Sequence, residues 1–270
     1  MGSATARRSR YRRPVERNPW DLHAEWWQRE FTGGADPEYE EQILPLAARH
    51  LAGARRVLDV GAGEGQVSRV AATLDPAPEL VVGVEPIAAH LELARQRAGG
   101  PRYVRALAET LPVADAAFDA AVICLMLEHV ADHEPVIAEI SRVLVPGGRF
   151  LLFLNHPLLQ APGSGWIDDH ILDEQYWRIG GYLQVDVTME EVAPGVVLPF
   201  VHRPLSDYVN TMVGCGLVVE RMEEPAPPPG FVARAPEYAF QATIPRLLAI
   251  VTRKVGGGAT TPSPGRQREA

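Results

Sequence analysis

Lysine is nearly missing from this chain: Lys254 is the only one in 270 residues, so almost all positive charge is arginine. Cations are also outnumbered, with a formal net charge of −8, which argues against a body built to hold nucleic acid. Cysteine is scarce. Cys124 and Cys215 both sit in apolar surroundings, the pattern of reduced core thiols in a cytoplasmic protein rather than of a disulfide framework. No apolar run approaches the ~18–20 residues that span a bilayer. The arginine-rich start lacks an apolar stretch behind it, so no secretory signal is expected. There are no internal repeats, and no spaced His and Cys set marks a metal site. What remains is an acidic chain, 46% hydrophobic, long enough for one large core. Its expected partner is a small molecule, not nucleic acid or a membrane, with the chain a monomer or homodimer.

The most informative stretch is Val57-Leu58-Asp59-Val60-Gly61-Ala62-Gly63-Glu64-Gly65. A buried strand runs into three glycines at alternate positions, and an apolar-periodic helix follows. Such a turn offers bare backbone N–H groups and a helix N-terminus to a nucleotide-like ligand at the carboxyl edge of a parallel sheet. Dinucleotide sites want G-x-G-x-x-G, but here Gln66 stands where the third glycine would be. Asp59 beside the glycines would repel a pyrophosphate and suits a ligand carrying a cationic amine. Glu85 ends the next strand, in Val82-Gly83-Val84-Glu85-Pro86, where an acid accepts from both ribose hydroxyls.

Around this turn the pattern alternates. Strands are expected at 55–60, 80–84, 102–105, 118–124 and 149–154, and helices at 65–74, 87–98 and 134–144. The last helix should stop at Pro146 and leave through Gly147-Gly148. This predicts an α/β fold with a doubly wound, Rossmann-like parallel sheet. Two helices with an aromatic cluster (Trp20, Trp26, Trp27, Phe31) precede it, broken at Gly33-Gly34. An antiparallel insertion follows it, in which Leu183, Val185, Val187 and Met189 alternate with polar residues, Pro194-Gly195 turns, and Val196 to Val201 returns. A helix near 204–214 and strands near 217–223 and 246–252 complete the chain. The expected organisation is a disordered basic arm (1–17), one domain (18–254) and a disordered tail (255–270). The domain divides into N-terminal helices (18–52), a cofactor half (53–155), a substrate insertion (156–203) and closing core strands (204–254).

Several motifs occur in order: Val57 to Gly65, Glu85, Ala108-Glu109-Thr110-Leu111-Pro112 with Phe118-Asp119, Leu127-Glu128-His129, and Arg142 to Arg149. In this the chain resembles the class I S-adenosylmethionine-dependent methyltransferases, and within them the ubiquinone-methyltransferase-like group acting on small molecules. The resemblance covers roughly residues 53–155. It implies S-adenosylmethionine as cofactor and methyl transfer to a small-molecule or saccharide-like acceptor. It further implies that Asp59 meets the methionine amino group and that Gly61, Ala62, Gly63 and Gly65 run close to the cofactor. Glu85 would hold the ribose, Pro86-Ile87 and Ala108-Glu109 would border the adenine, and Cys124 and Leu125 would lie near the reacting methyl. The chain departs from the pattern at Leu107, where many relatives carry an acid for the adenine amino group. Backbone or water must replace that acceptor, or it is given up.

In-line methyl transfer needs alignment and exclusion of water more than side-chain chemistry. A general base helps when the acceptor is a hydroxyl. The candidates are His129, His156 and His202; the candidate acceptor contacts are Trp27, Trp166 and Asp168. The run Trp166-Ile167-Asp168-Asp169-His170 reads as a polar loop with Asp near a helix start, not as a metal site. The rival readings are an NAD-dependent oxidoreductase, an RNA methyltransferase that uses the basic arm, and a non-catalytic S-adenosylmethionine-binding protein.

Overall fold

The computed structural model describes residues 19–234 and 243–256. The basic arm and nearly all of the C-terminal tail lie outside the described residues. The first helix, α1 (Pro19–Phe31), ends at the Gly33-Gly34 break, where both glycines have φ above +60°. The next helical segment begins with one π-turn, Tyr39–Ile43, and continues as α2 (Leu44–Leu51). Pro45 explains the turn. It has no N–H to continue the α-helical ladder, and the Leu44 N–H instead reaches back five residues to the Tyr39 carbonyl.

Strands and helices then alternate: β1 (Arg56–Val60), α3 (Gln66–Ala72), β2 (Leu80–Val84), α4 (Ala88–Arg97), β3 (Arg102–Val104), β4 (Phe118–Cys124), α5 (Glu134–Val143) and β5 (Leu144–Asn155). The expected strands and helices fall at these places. The exception is the exit from α5. The helix ends at Val143 and strand pairing begins at once at Leu144, while Val145 to Gly148 loop out before pairing resumes at Arg149. Gly147, at φ +79°, makes that bulge possible.

Two hairpins form the insertion after the short helix α6 (Pro157–Gln160). The first is β6 (Gly165–Asp169) with β7 (Glu174–Arg178), the second β8 (Asp186–Ala193) with β9 (Val196–His202). The second was expected. The first corrects the reading of Trp166 to His170 as a loop: Trp166 pairs with Trp177 and Asp168 with Gln175. Neither strand of this hairpin has a fully buried residue, so it shows no period-two pattern for a sequence to reveal. Helix α7 (Leu205–Gly214), β10 (Leu217–Glu223), α8 (Pro229–Arg234) and β11 (Leu247–Lys254) complete the described chain.

The main sheet runs β3-β2-β1-β4-β5-β11-β10, parallel throughout except for β11, which is antiparallel to both its neighbours. Alternate residues of each central strand serve opposite faces. Val57, Ala120, Val122, Leu151, Phe153 and Ala249 pack with Ala47 and Leu51 of α2 and with Val67 and Ala71 of α3. Leu58, Ala121, Ile123, Phe150, Leu152 and Ile250 pack with α5 and α7. Both faces are covered, which makes this a doubly wound α/β sheet. Strand order reverses at β1, whose neighbours β2 and β4 are both reached by crossovers, and a crevice opens at the carboxyl ends there.

Candidate active site

Strand β1 delivers Asp59, the glycine turn and α3 to this crevice in a single unbroken run. Gly61, Gly63 and Gly65 all have positive φ, at +73°, +55° and +86°. A Cβ at Gly63 would point at the rim of the Trp27 indole, 3.2 Å away. Gly65 does something else. It is not part of the cavity wall, and a Cβ there would collide with the Tyr103 phenol, so this glycine serves packing and the start of α3 rather than ligand contact. Fully buried Glu64 stakes the turn to two helices, pairing with Arg69 of α3 (2.8 Å) and Arg97 of α4 (2.6 Å).

The resulting cavity, of about 270 Å³, is lined along one wall by Asp59, Gly61, Ala62, Gly63, Glu85 and Pro86. Ala108, Glu109, Cys124 and Leu125 line the opposite side, and Trp27 and His129 also face it. The structure thus gathers these expected residues at one place. Leu125 sits at φ +47°, a strained conformation for leucine, with its N–H donating to the Phe153 carbonyl.

Two buried carboxylates dominate the electrostatics. Glu85 accepts from the Gly63 N–H with one oxygen and from the Ile87 N–H with the other, each at 2.9 Å. Each oxygen keeps a further lone pair, a pattern that matches two adjacent hydroxyls. Burial pushes the Glu85 carboxyl up to about 7, against those two N–H bonds. Asp59 accepts from the Ser68 hydroxyl at 2.6 Å, and burial raises it to about 6. Among the described residues, no lysine or arginine lines the cavity.

Helix α1 lies over this wall. Trp27 meets the ring of His90 edge-on at 5.2 Å and that of Tyr39 at 6.5 Å, and Gln28 donates to the Ala89 carbonyl of α4. Tyr39, brought in by the π-turn, places its hydroxyl 3.9 Å from the Cys124 sulfur. Burial holds both the phenol and the thiol well above their ordinary values, so neither ionises readily.

The candidate bases separate. His129 lines the cavity between the rings of Trp20 (4.7 Å) and Phe200 (4.5 Å). Its Nδ1–H donates to the Pro199 carbonyl of β9 at 2.8 Å, which leaves the lone pair on Nε2. His156 lies away from the cavity wall, with Nε2 on Glu224 (2.8 Å) and Nδ1 accepting from the Leu158 N–H (3.2 Å) as the cap of α6. His202 is buried with Nε2–H donating to the Tyr182 carbonyl at 2.8 Å, also off the wall. Trp166 and Asp168, on the first hairpin, do not line the cavity either. The position of His156 and His202 at the two ends of the insertion suggested a base. His156 instead ties the start of the insertion to Glu224 beyond β10 and caps α6, and His202 ties its end to the Tyr182 loop.

Sequence reasoning did not single out His90. It stands in the first turn of α4, five residues after Glu85, and lines the cavity at 3% exposure. Burial lowers it to about 4, which keeps the imidazole neutral, and its Nδ1 has no partner. Phe200 and Pro199 were equally hidden, since only the return of β9 across the Leu127–His129 turn brings them to the site.

The fold is similar to that of solved S-adenosylmethionine-dependent methyltransferases. Residues 58–152 match the family model described as a methyltransferase domain. The structure of an S-adenosylmethionine-dependent methyltransferase from Mesorhizobium loti superposes with a TM-score of 0.67 at 27% identity, over 78% of this chain and 95% of that one. Among curated proteins, a demethylmenaquinone methyltransferase of Thermus thermophilus is 34% identical over 128 residues, 46% of this chain and 56% of that protein. An uncharacterised methyltransferase of Mycobacterium tuberculosis is 36% identical over 159 residues, 57% of this chain and 58% of that one. The matched stretches span about half the length of these curated relatives.

Proposed function

We propose that the chain transfers the methyl group of S-adenosylmethionine to a small-molecule acceptor. The carrying observation is the charge of the cavity: Asp59 and Glu85 are buried in its wall, and among the described residues no lysine or arginine lines it. A pyrophosphate fits this poorly. An adenosyl ligand with a cationic amino-acid tail fits it well, its ribose hydroxyls on the two oxygens of Glu85 and its ammonium group towards Asp59. When bound, the cofactor supplies a methyl group already activated by a sulfonium.

The chain's own residues then orient and enclose. The glycine turn allows close approach, Trp27 closes the outer side, and the apolar wall at Leu125 and Met126 keeps water out. His129 is the base of this reading. With Nδ1 committed to Pro199, Nε2 is left free to accept the proton that the acceptor would lose on methylation. The acceptor end has aromatic walls and, among the described residues, no cation, which favours a neutral, planar molecule. The demethylmenaquinone methyltransferases among the relatives make a quinone-like acceptor the first to try. Of the insertion at 156–203, the second hairpin reaches the site through Pro199 and Phe200, and we read it as the part that selects the acceptor.

Calorimetric titration with S-adenosylhomocysteine and with NAD separates this reading from a dehydrogenase. Labelled methyl transfer into a metabolite extract, followed by mass identification of the product, tests the reaction. Binding of S-adenosylhomocysteine with no labelled product would leave a binding protein without transfer. Absence of binding would end the reading.

A further inference from the structure

Beyond Glu85 the cavity continues outward into a shallow niche walled by Pro86, Ile87, Ala106 and Leu107. Its two remaining residues are charged: Asp21 on one side, from the first turn of α1, and Arg105 on the other, just past β3. The two do not form an ion pair with each other. Arg105 donates through Nε to the Pro86 carbonyl at 2.9 Å, and neither side chain is in an ion pair among the described residues. Asp21 is nonetheless close enough for its charge to act on both Glu85 and His90 in the cavity. Position 107 contributes only an apolar side chain, 58% exposed.

A ribose held at Glu85, with its amino-acid tail towards Asp59 and the glycines, would leave its base for the Ile87 side, where Ile87 lines both the cavity and this niche. The side chains there supply one acceptor, the Asp21 carboxylate, and one donor, the Arg105 guanidinium. Adenine presents the complement along its edge, an amino donor beside a ring-nitrogen acceptor. Hypoxanthine presents the reverse, a carbonyl acceptor beside an N–H donor. Resting on the adenosyl-cofactor reading above, we propose that Asp21 and Arg105 read the adenine, Asp21 accepting from its amino group and Arg105 donating to a neighbouring ring nitrogen. The base-reading acid is thus carried on the covering helix rather than on the sheet edge at position 107. Base recognition and closure of α1 become one event.

The test uses the full chain and two ligands, S-adenosylhomocysteine and its deaminated analogue S-inosylhomocysteine, titrated by calorimetry. The wild type should prefer the adenosyl ligand by roughly tenfold or more. In Asp21→Asn the new amide can donate to the inosyl carbonyl, so adenosyl affinity falls and the preference shrinks to within about threefold. Arg105→Ala should also narrow the ratio. Glu85→Ala is the control: it weakens both ligands, which share the ribose, and leaves the ratio unchanged. Asp21 and Arg105 are both exposed, so loss of folding is not at issue. A wild-type ratio in both Asp21→Asn and Arg105→Ala overturns the proposal alone. A wild type that binds neither ligand overturns the cofactor reading and the proposal together.

Discussion

Asp59 and Glu85 place two acids where water cannot solvate them, and the cost of doing so should be measurable. Each has a folded-state value above its ordinary one, about 6 against 3.8 for Asp59 and about 7 against 4.5 for Glu85. Over that window the folded protein holds protons that the unfolded chain has lost. Their contribution to stability is therefore complete below about pH 4 and is lost as pH rises to about 7. We expect the melting temperature of the ligand-free protein to fall across this range, and Glu85→Gln to flatten the fall. The stabilisation by S-adenosylhomocysteine should grow over the same range, because hydroxyls and an ammonium group prefer the ionised acids. A ligand-induced shift independent of pH would contradict this. Asp59→Ala and Glu85→Ala should each weaken binding by about 1.5–3 kcal/mol, the scale of a charge-assisted hydrogen bond. His129→Ala should keep that affinity and lower kcat by roughly 10²–10⁴ on the identified acceptor. His202→Ala removes a buried hydrogen bond off the cavity wall. It should cost about 1–3 kcal/mol of stability and leave the chemical step alone.

At the scale of elements, the site is a sheet edge flanked by two neighbours, α1 and the second hairpin. Helix α1 touches the glycine turn through Trp27 and α4 through Gln28, while β9 holds His129 from the opposite side. Trp27→Ala removes the outer wall without touching a polar group. We expect release of S-adenosylhomocysteine to quicken by roughly tenfold in stopped-flow measurements, with association little changed. Equal release rates would mean that α1 does not cover the ligand. Which parts of this arrangement a sequence can reveal follows from range. Strand β1, the glycine turn and Glu85 are legible because backbone geometry and chemistry coincide within a few residues. The β8–β9 hairpin is legible from Pro194-Gly195 and its flanking alternation. His90 and Asp21 carry no such local mark, since a histidine or an aspartate in the first turn of a helix is ordinary, and only packing of α1 on α4 gives them meaning. Trp166 and Asp168 show the converse: chemically suggestive residues stand on a hairpin that does not line the cavity.

For the whole molecule, β11 decides the order in which the structure can come into being. This strand sits between β5 and β10 and bonds to both, yet it spans Leu247–Lys254, the end of the described chain. During synthesis, β1 to β5 emerge long before it, and β5 must wait about 90 residues with one row of N–H and C=O groups bare. A ribosome adding about 5–20 residues per second leaves that edge open for several seconds. The acidic surface charge and the early glycine-turn half do nothing to seal it. A growing chain of this design is thus most exposed to strand-by-strand sticking in the interval before β11 is made, and a chaperone that shields a naked sheet edge would serve it best at that moment.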